Sequence, residues 1–118
     1  MVLFTINKFT KISNEYLISL IMNELTLINN EFLRQFEIKL DDSLARIEYS
    51  EQERKIFLTK LHIPKEIEDK AFEDAFIIKV LEFISDKNLR VVPTSPKIAR
   101  FVRGNRRYKQ LLPVGIKL

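Results

Sequence analysis

The chain has 118 residues with 20 basic and 16 acidic side chains, a net charge of +4, two glycines, one histidine and no cysteine. Disulfide scaffolds, cysteine-ligated zinc, iron–sulfur clusters and thiol catalysis are thereby excluded. Both glycines, Gly104 and Gly115, fall in the last fifteen residues, so neither a G-x-x-x-x-G-K-[ST] phosphate loop nor a G-x-G-x-x-G dinucleotide turn can form.

The length suits one domain that buries roughly two-thirds of its unfolded surface. Met1 to Phe9 is interrupted by Asn7 and Lys8 and lacks the continuous apolar core of a signal peptide. Tyr16 to Phe32, the most hydrophobic stretch, carries Asn23, Glu24, Asn29, Asn30 and Glu31 and does not read as a membrane span. The expectation is a cytoplasmic protein without a membrane partner.

Ser13 to Phe32 predicts a helix capped by Ser13 or Asn14, with Leu17, Leu20, Ile21, Leu25, Ile28 and Phe32 at spacings of three and four. Apolar residues off that stripe predict a second covered face or a homodimer through this helix. From Gln35 the period becomes two. Phe36, Ile38 and Leu40 alternate with Glu37 and Lys39, Asp41-Asp42-Ser43 makes a turn, and Ala45, Ile47 and Tyr49 alternate with Arg46 and Glu48. Ser50 to Glu53 reads as a second turn, followed by a third, more continuously apolar strand over Lys55 to Ile63 that Pro64 ends. After a polar segment comes a helix with Phe72, Ala75, Phe76, Lys79, Val80 and Phe83 on one side and Glu73, Asp74, Glu82 and Asp86 elsewhere. Asp86-Lys87-Asn88 stops it, and Leu89 to Val92 forms a short strand closed by Pro93. A helix follows Pro96, Gly104-Asn105 breaks it, and Arg106 to Leu112 makes a last short helix.

A strand, a crossover helix and another strand imply a parallel, right-handed unit. The expected class is α+β with a mixed sheet: an antiparallel three-strand meander, a crossover helix, a parallel strand and C-terminal helices. Residues 1–34 form an added N-terminal helical extension and residues 35–118 the main unit. Charge is divided unevenly along this order. The first 88 residues carry 12 basic and 16 acidic side chains, whereas Leu89 to Leu118 holds eight basic ones and no acid. Arg100, Arg103, Arg106, Arg107 and Lys109 are candidates for contact with a polyanion, in competition with the acidic body itself. Phe101 or Tyr108 could stack on bases or belong to the core.

The segment from His62-Ile63-Pro64-Lys65-Glu66 to Ala71-Phe72, its helix, and Leu89-Arg90-Val91-Val92-Pro93-Thr94-Ser95-Pro96 resemble the small single-domain branch of the GNAT superfamily of acetyl-CoA-dependent N-acetyltransferases. That branch reads as a meander, T-E-V-P, a loop like E-G-K-G-I-G opening a long helix, a strand ending V-x-P-x-C, and a helix finishing near R-H-P-E-Y. The likeness runs from about Gln35 to Pro113, with Tyr108 at the closing tyrosine. It implies acetyl-CoA as cofactor, backbone groups at Ile63, Lys70, Ala71 and Phe72 to hold it, and Arg100 or Arg103 for its phosphates. His62 stands at the family's acidic position and Ser95 at its cysteine, which makes them the candidate catalytic residues. Ser95 also reads as the N-cap before Pro96.

The departures fall on the motif. The loop's glycines are replaced by Asp69 and Ala71, and its helix-opening aliphatic residue by Phe72. In the family that loop presents bare N–H groups and a helix N-terminus to a pyrophosphate. A carboxylate about 4 Å from a phosphate costs on the order of 4 kcal/mol at an effective dielectric of 20, against about 0.3–2 kcal/mol from the helix dipole. Three readings follow: a related domain that has lost efficient acetyl-CoA binding and acts as a binding or scaffold module; an active N-acetyltransferase working by direct transfer to an amine; and a nucleic-acid binder using the basic C-terminal segment. No metal site is expected.

Overall fold

In the computed structural model, which describes residues 14–118, five strands form one sheet in the order β1-β2-β3-β4-β5. The elements in chain order are α1 (Asn14–Glu24), β1 (Ile28–Asn30), β2 (Gln35–Leu40), β3 (Ser43–Gln52), β4 (Lys55–His62), a 3-10 turn (Lys65–Ile67), α2 (Lys70–Asp86), β5 (Arg90–Pro93), α3 (Pro96–Arg103) and α4 (Arg106–Lys109). The class is the α+β mixed sheet expected, with β1 to β4 antiparallel and β4–β5 parallel across the α2 crossover.

Period-two alternation builds the meander as read. Phe36 and Ile38 of β2, Ala45, Ile47 and Tyr49 of β3 and Ile56 and Leu58 of β4 are buried on one face. Phe72, Ala75, Phe76, Val80 and Ile84 of α2 meet them, and Ile98 and Val102 of α3 close the same core. Each fully buried phenylalanine or isoleucine contributes about 1.5–3 kcal/mol through the area it removes from water.

The N-terminal helix is shorter than its apolar spacing predicts. It ends at Glu24, and Ile28–Asn30 pairs antiparallel with Gln35–Glu37 as the sheet's first strand. Leu17, Ile21 and Leu25 are buried, but Ile28 is 50% and Phe32 93% exposed. The second half of the stripe therefore never had a helix face to belong to. Residues 1–34 are accordingly not a purely helical extension, and Met1 to Ser13, including the Ser13 cap, lie outside the described residues. The stripe of α1 packs on α2, which explains why α2 is buried on more than one side: Ala71, Asp74, Ile77 and Leu81 are covered as well, and Asp74, expected on a polar face, is 8% exposed.

Smaller corrections concern ends. β3 continues through Ser50 to Gln52, so the second turn is only Glu53-Arg54. β5 is Arg90–Pro93, not Leu89 to Val92, and the last helix stops at Lys109 instead of Leu112. A register shift at Glu48/Tyr49 leaves Thr59 as the extra residue of a β-bulge, its hydroxyl donating to the Glu48 carbonyl at 3.1 Å. At the sheet's two edges lie the three-residue β1 and β5, where the Val91 N–H donates to the Leu111 carbonyl at 2.9 Å.

Glycine scarcity leaves its mark on the turns. Arg34, Asp41, Glu53, Arg54 and Asn88 all take positive φ, whereas Gly104 sits at φ −83° and does not use its freedom. Glu53 and Arg54, at φ 52° and 62°, fill both central positions of the β3–β4 hairpin loop, where a type I′ turn favours Asn-Gly. A side chain in that conformation costs roughly 1–2 kcal/mol. Glu53→Gly is therefore expected to raise unfolding stability by about 1 kcal/mol, whereas Ser50→Gly, three residues earlier in extended backbone, lowers it by roughly 0.5–1 kcal/mol. Urea denaturation of the two variants checks the opposite signs.

Candidate functional site

Pro64 cannot donate to a ladder and ends β4. The 3-10 turn that follows is anchored by Ile67, 5% exposed, and delivers Asp69 in extended backbone at φ −161° to the start of α2. There the Asp69 carboxylate accepts from Ala71 N–H at 2.8 Å and Phe72 N–H at 3.3 Å through one oxygen, Oδ1. Such a cap is worth about 1 kcal/mol. The ammonium of Lys70 is 2.9 Å from Asp74 Oδ1 one turn on.

β4 and β5 pair only as far as Leu58 and Pro93. Beyond that point the Leu58 carbonyl accepts from Thr94 N–H, Ser95 N–H and the Thr94 hydroxyl at 2.9–3.1 Å, and β5 has ended while β4 runs on to His62. The start of α3 thus comes to face the start of α2. Lys97 Nζ stands 4.0 Å from Glu73 Oε2, and two clefts open on either side of this pair. One, of about 670 Å3, is lined by Lys70, Glu73, Asp74, Lys97, Arg100 and Phe101 with Ile18 of α1 among others. The other, of about 500 Å3, is lined by Arg46, His62, Ile63, Glu68, Glu73 and Lys97 among others.

His62, at the end of β4, lies opposite Arg46 in register. Its Nε2 is 2.7 Å from Glu48 Oε2, which also accepts from Arg46 at 3.0 Å. The hydrogen bond from His62 holds the Glu48 carboxyl below its ordinary value, with Lys60, His62 and Arg46 adding attraction and partial burial opposing. An ionised carboxylate only accepts, so Nε2 carries the proton and Nδ1 is the atom left able to take one. This pairing was not visible in the sequence. It depends on the β3–β4 register, which the alternation of Arg46 and Glu48 hinted at but the bulge at Thr59 obscured.

The predicted residues divide accordingly. Ile63 and His62 share one cleft, and Lys70 and Arg100 share the other. Ala71 and Phe72 are buried, their N–H groups held by Asp69. Arg103 is exposed outside both clefts. Ser95 is 4% exposed at the N-cap position of α3, without a side-chain cap hydrogen bond. Its N–H is tied to the Leu58 carbonyl at 2.9 Å, and it lines neither cleft, whereas His62 lines the second. Arg106, Arg107 and Lys109 are exposed on α4. Phe101 and Tyr108, with ring centroids 6.0 Å apart, pack against the core. Among the described residues no helix is long and apolar enough to cross a membrane, and no group of three His, Asp or Glu could hold a metal ion.

Residues 35–111, more than half of the chain, match the family model described as GCN5-related N-acetyl-transferase. No curated protein matches the chain significantly.

The lowered pKa of Glu48 sets a sign for acid unfolding. A carboxyl with a depressed folded pKa contributes stability above its ordinary range near 4.5 and loses it as pH falls through the folded value. Glu48→Gln is therefore expected to be less stable than the parent at pH 7, with the difference shrinking below about pH 4. Urea melts of both proteins at pH 7, 5 and 3 check it; a gap that stays constant with pH contradicts it.

Proposed function

The chain belongs to the GCN5-related N-acetyltransferase family, and from that membership we propose that it serves as a binding module in which the helix start that relatives offer to acetyl-CoA is closed by the chain's own carboxylate. One observation carries this reading: Asp69 Oδ1 accepts the Ala71 and Phe72 N–H groups at 2.8 and 3.3 Å. Those donors are the ones a pyrophosphate would need. The fixed charge beside them repels a phosphate, and Glu73, 16% exposed in its side chain, lines both clefts and adds a second carboxylate. Lys70 offsets little of this, since its ammonium pairs with Asp74. The residues at this helix start do not suit the cofactor's pyrophosphate in the relatives' manner.

A second reading is favoured by His62. It lines the 500 Å3 cleft beside Ile63, and its Nε2 is held by Glu48, an arrangement suited to taking a proton from an amine at Nδ1. Under that reading the chain releases free thiol from acetyl-CoA in the presence of a polyamine, and His62→Gln abolishes the release.

Calorimetric titration of acetyl-CoA separates the two. The wild type is expected to give no binding at about 100 μM ligand. Asp69→Asn keeps the cap without the charge, and Asp69→Gly/Ala71→Gly also frees the backbone. Each is expected to bind more tightly, by roughly 10- to 1,000-fold for the removal of a repulsion of about 1.4–4 kcal/mol. Micromolar binding by the wild type overturns the first reading.

A further inference from the structure

At the opposite end of α2 lies a pocket of about 340 Å3 whose walls include Phe36, Tyr49 and Phe83, with Glu31, Glu51 and Lys87 also lining it. From Lys70 to Lys87 the helix rises roughly 25 Å, so this pocket is separate from the clefts at the start of α2. We propose that it is a binding site for an alkylammonium group.

Four features of the pocket favour a cation. Its aromatic wall is organised: Phe83, half-buried, meets Phe36 edge to face at 5.5 Å, over a buried floor in which Phe36 and Tyr49 have ring centroids 4.8 Å apart. Ring faces carry the negative side of the quadrupole and attract an ammonium within about 6 Å. Two carboxylates, Glu31 and Glu51, are exposed on its lining. The carboxyl-terminal end of α2 adds the negative pole of the helix dipole, and its last turn holds no basic residue. The fourth feature is an ammonium already there: Lys87 Nζ sits 5.5 Å from the Phe83 ring centroid. The chain's own lysine occupies the ring face that a ligand would use.

The chemistry of the walls also says what is recognised. Burial raises the Tyr49 hydroxyl and its bond to Asn29 opposes; the neighbouring Glu31 and Glu51 raise it further, against the nearby charge of Arg34. The hydroxyl donates to Asn29 Oδ1 at 2.7 Å, so its proton is committed and Tyr49 gives the pocket floor no free donor. A site of rings and carboxylates selects a charged, weakly hydrated head on an apolar stem, and the volume lies at the small end of ligand pockets. A methylated alkylammonium fits this better than a phosphate or a carboxylate. The proposal does not depend on whether acetyl-CoA binds at the other end of the helix.

The test is a titration of the full chain with choline, followed by amide chemical shifts, with its neutral isostere 3,3-dimethylbutan-1-ol as control. The cation is expected to shift Glu51, Phe83 and Lys87 and leave Asp69 unmoved. Lys87→Ala removes the competing ammonium from a solvent-exposed position and is expected to tighten binding about threefold or more. Glu31→Gln/Glu51→Gln weakens it, with less dependence on salt. Lysine and trimethyllysine peptides, compared with the free amines, distinguish a protein side chain from a small metabolite as the source of the group. Absence of binding to Lys87→Ala at about 20 mM cation, equal binding of the neutral isostere, or unchanged affinity in the glutamine pair overturns the proposal.

Discussion

A backbone N–H has one proton to donate, and at the start of α2 the protons of Ala71 and Phe72 both go to Asp69 Oδ1. That allocation organises the region around it. The helix start is complete without any bound anion, Lys70 is free to reach Asp74 one turn on, and Glu73 can face Lys97 across the gap between α2 and α3. Where α2 starts beside the end of β4, the sheet and the helix are in place and both N–H groups are taken by the chain's own carboxylate. The architecture and the ligand site are thus separable. The first rests on apolar burial along α2 and the sheet, the second on a few uncommitted donors.

The two ends of the same helix show the same logic with opposite charge. Its positive pole is met by a carboxylate that the chain supplies, and beyond its negative pole an ammonium that the chain supplies leans over Phe83. The difference is in bonding. Asp69 makes short, directional hydrogen bonds that fix it, whereas Lys87 makes a diffuse contact at 5.5 Å that a better-placed cation can displace.

Much of this was legible in the sequence, and the failures have identifiable causes. The alternation from Phe36 to Tyr49 and the stop at Pro64 mark β2 to β4, and the structure agrees on each. The stripe from Leu17 to Phe32 misled because Leu25, Ile28 and Phe32 keep helical spacing by coincidence. Thr26, Leu27 and Ile28 are more at home in extended chain, and pairing with β2 decided the matter. Asp74, spaced onto the polar face of α2, is 8% exposed, because α2 is packed on more than one side by segments distant in the chain. The Glu48–His62 pair was hidden for a related reason, since a bulge at Thr59 shifts which residues of β3 and β4 stand opposite one another. Local pattern carries the elements, but not the partners that tertiary pairing assigns.

The margins of the sheet are blunted among the described residues. An unfinished sheet ordinarily invites another chain to continue it, which is a common route to fibres and swapped strands. Here β1 offers only three residues, and Asn30 uses its side chain locally, donating to Glu37 and accepting from the Leu33 N–H. At the far margin the Val91 N–H is already taken by Leu111. Among the described residues neither side is a template of useful length, which disfavours self-assembly by strand addition.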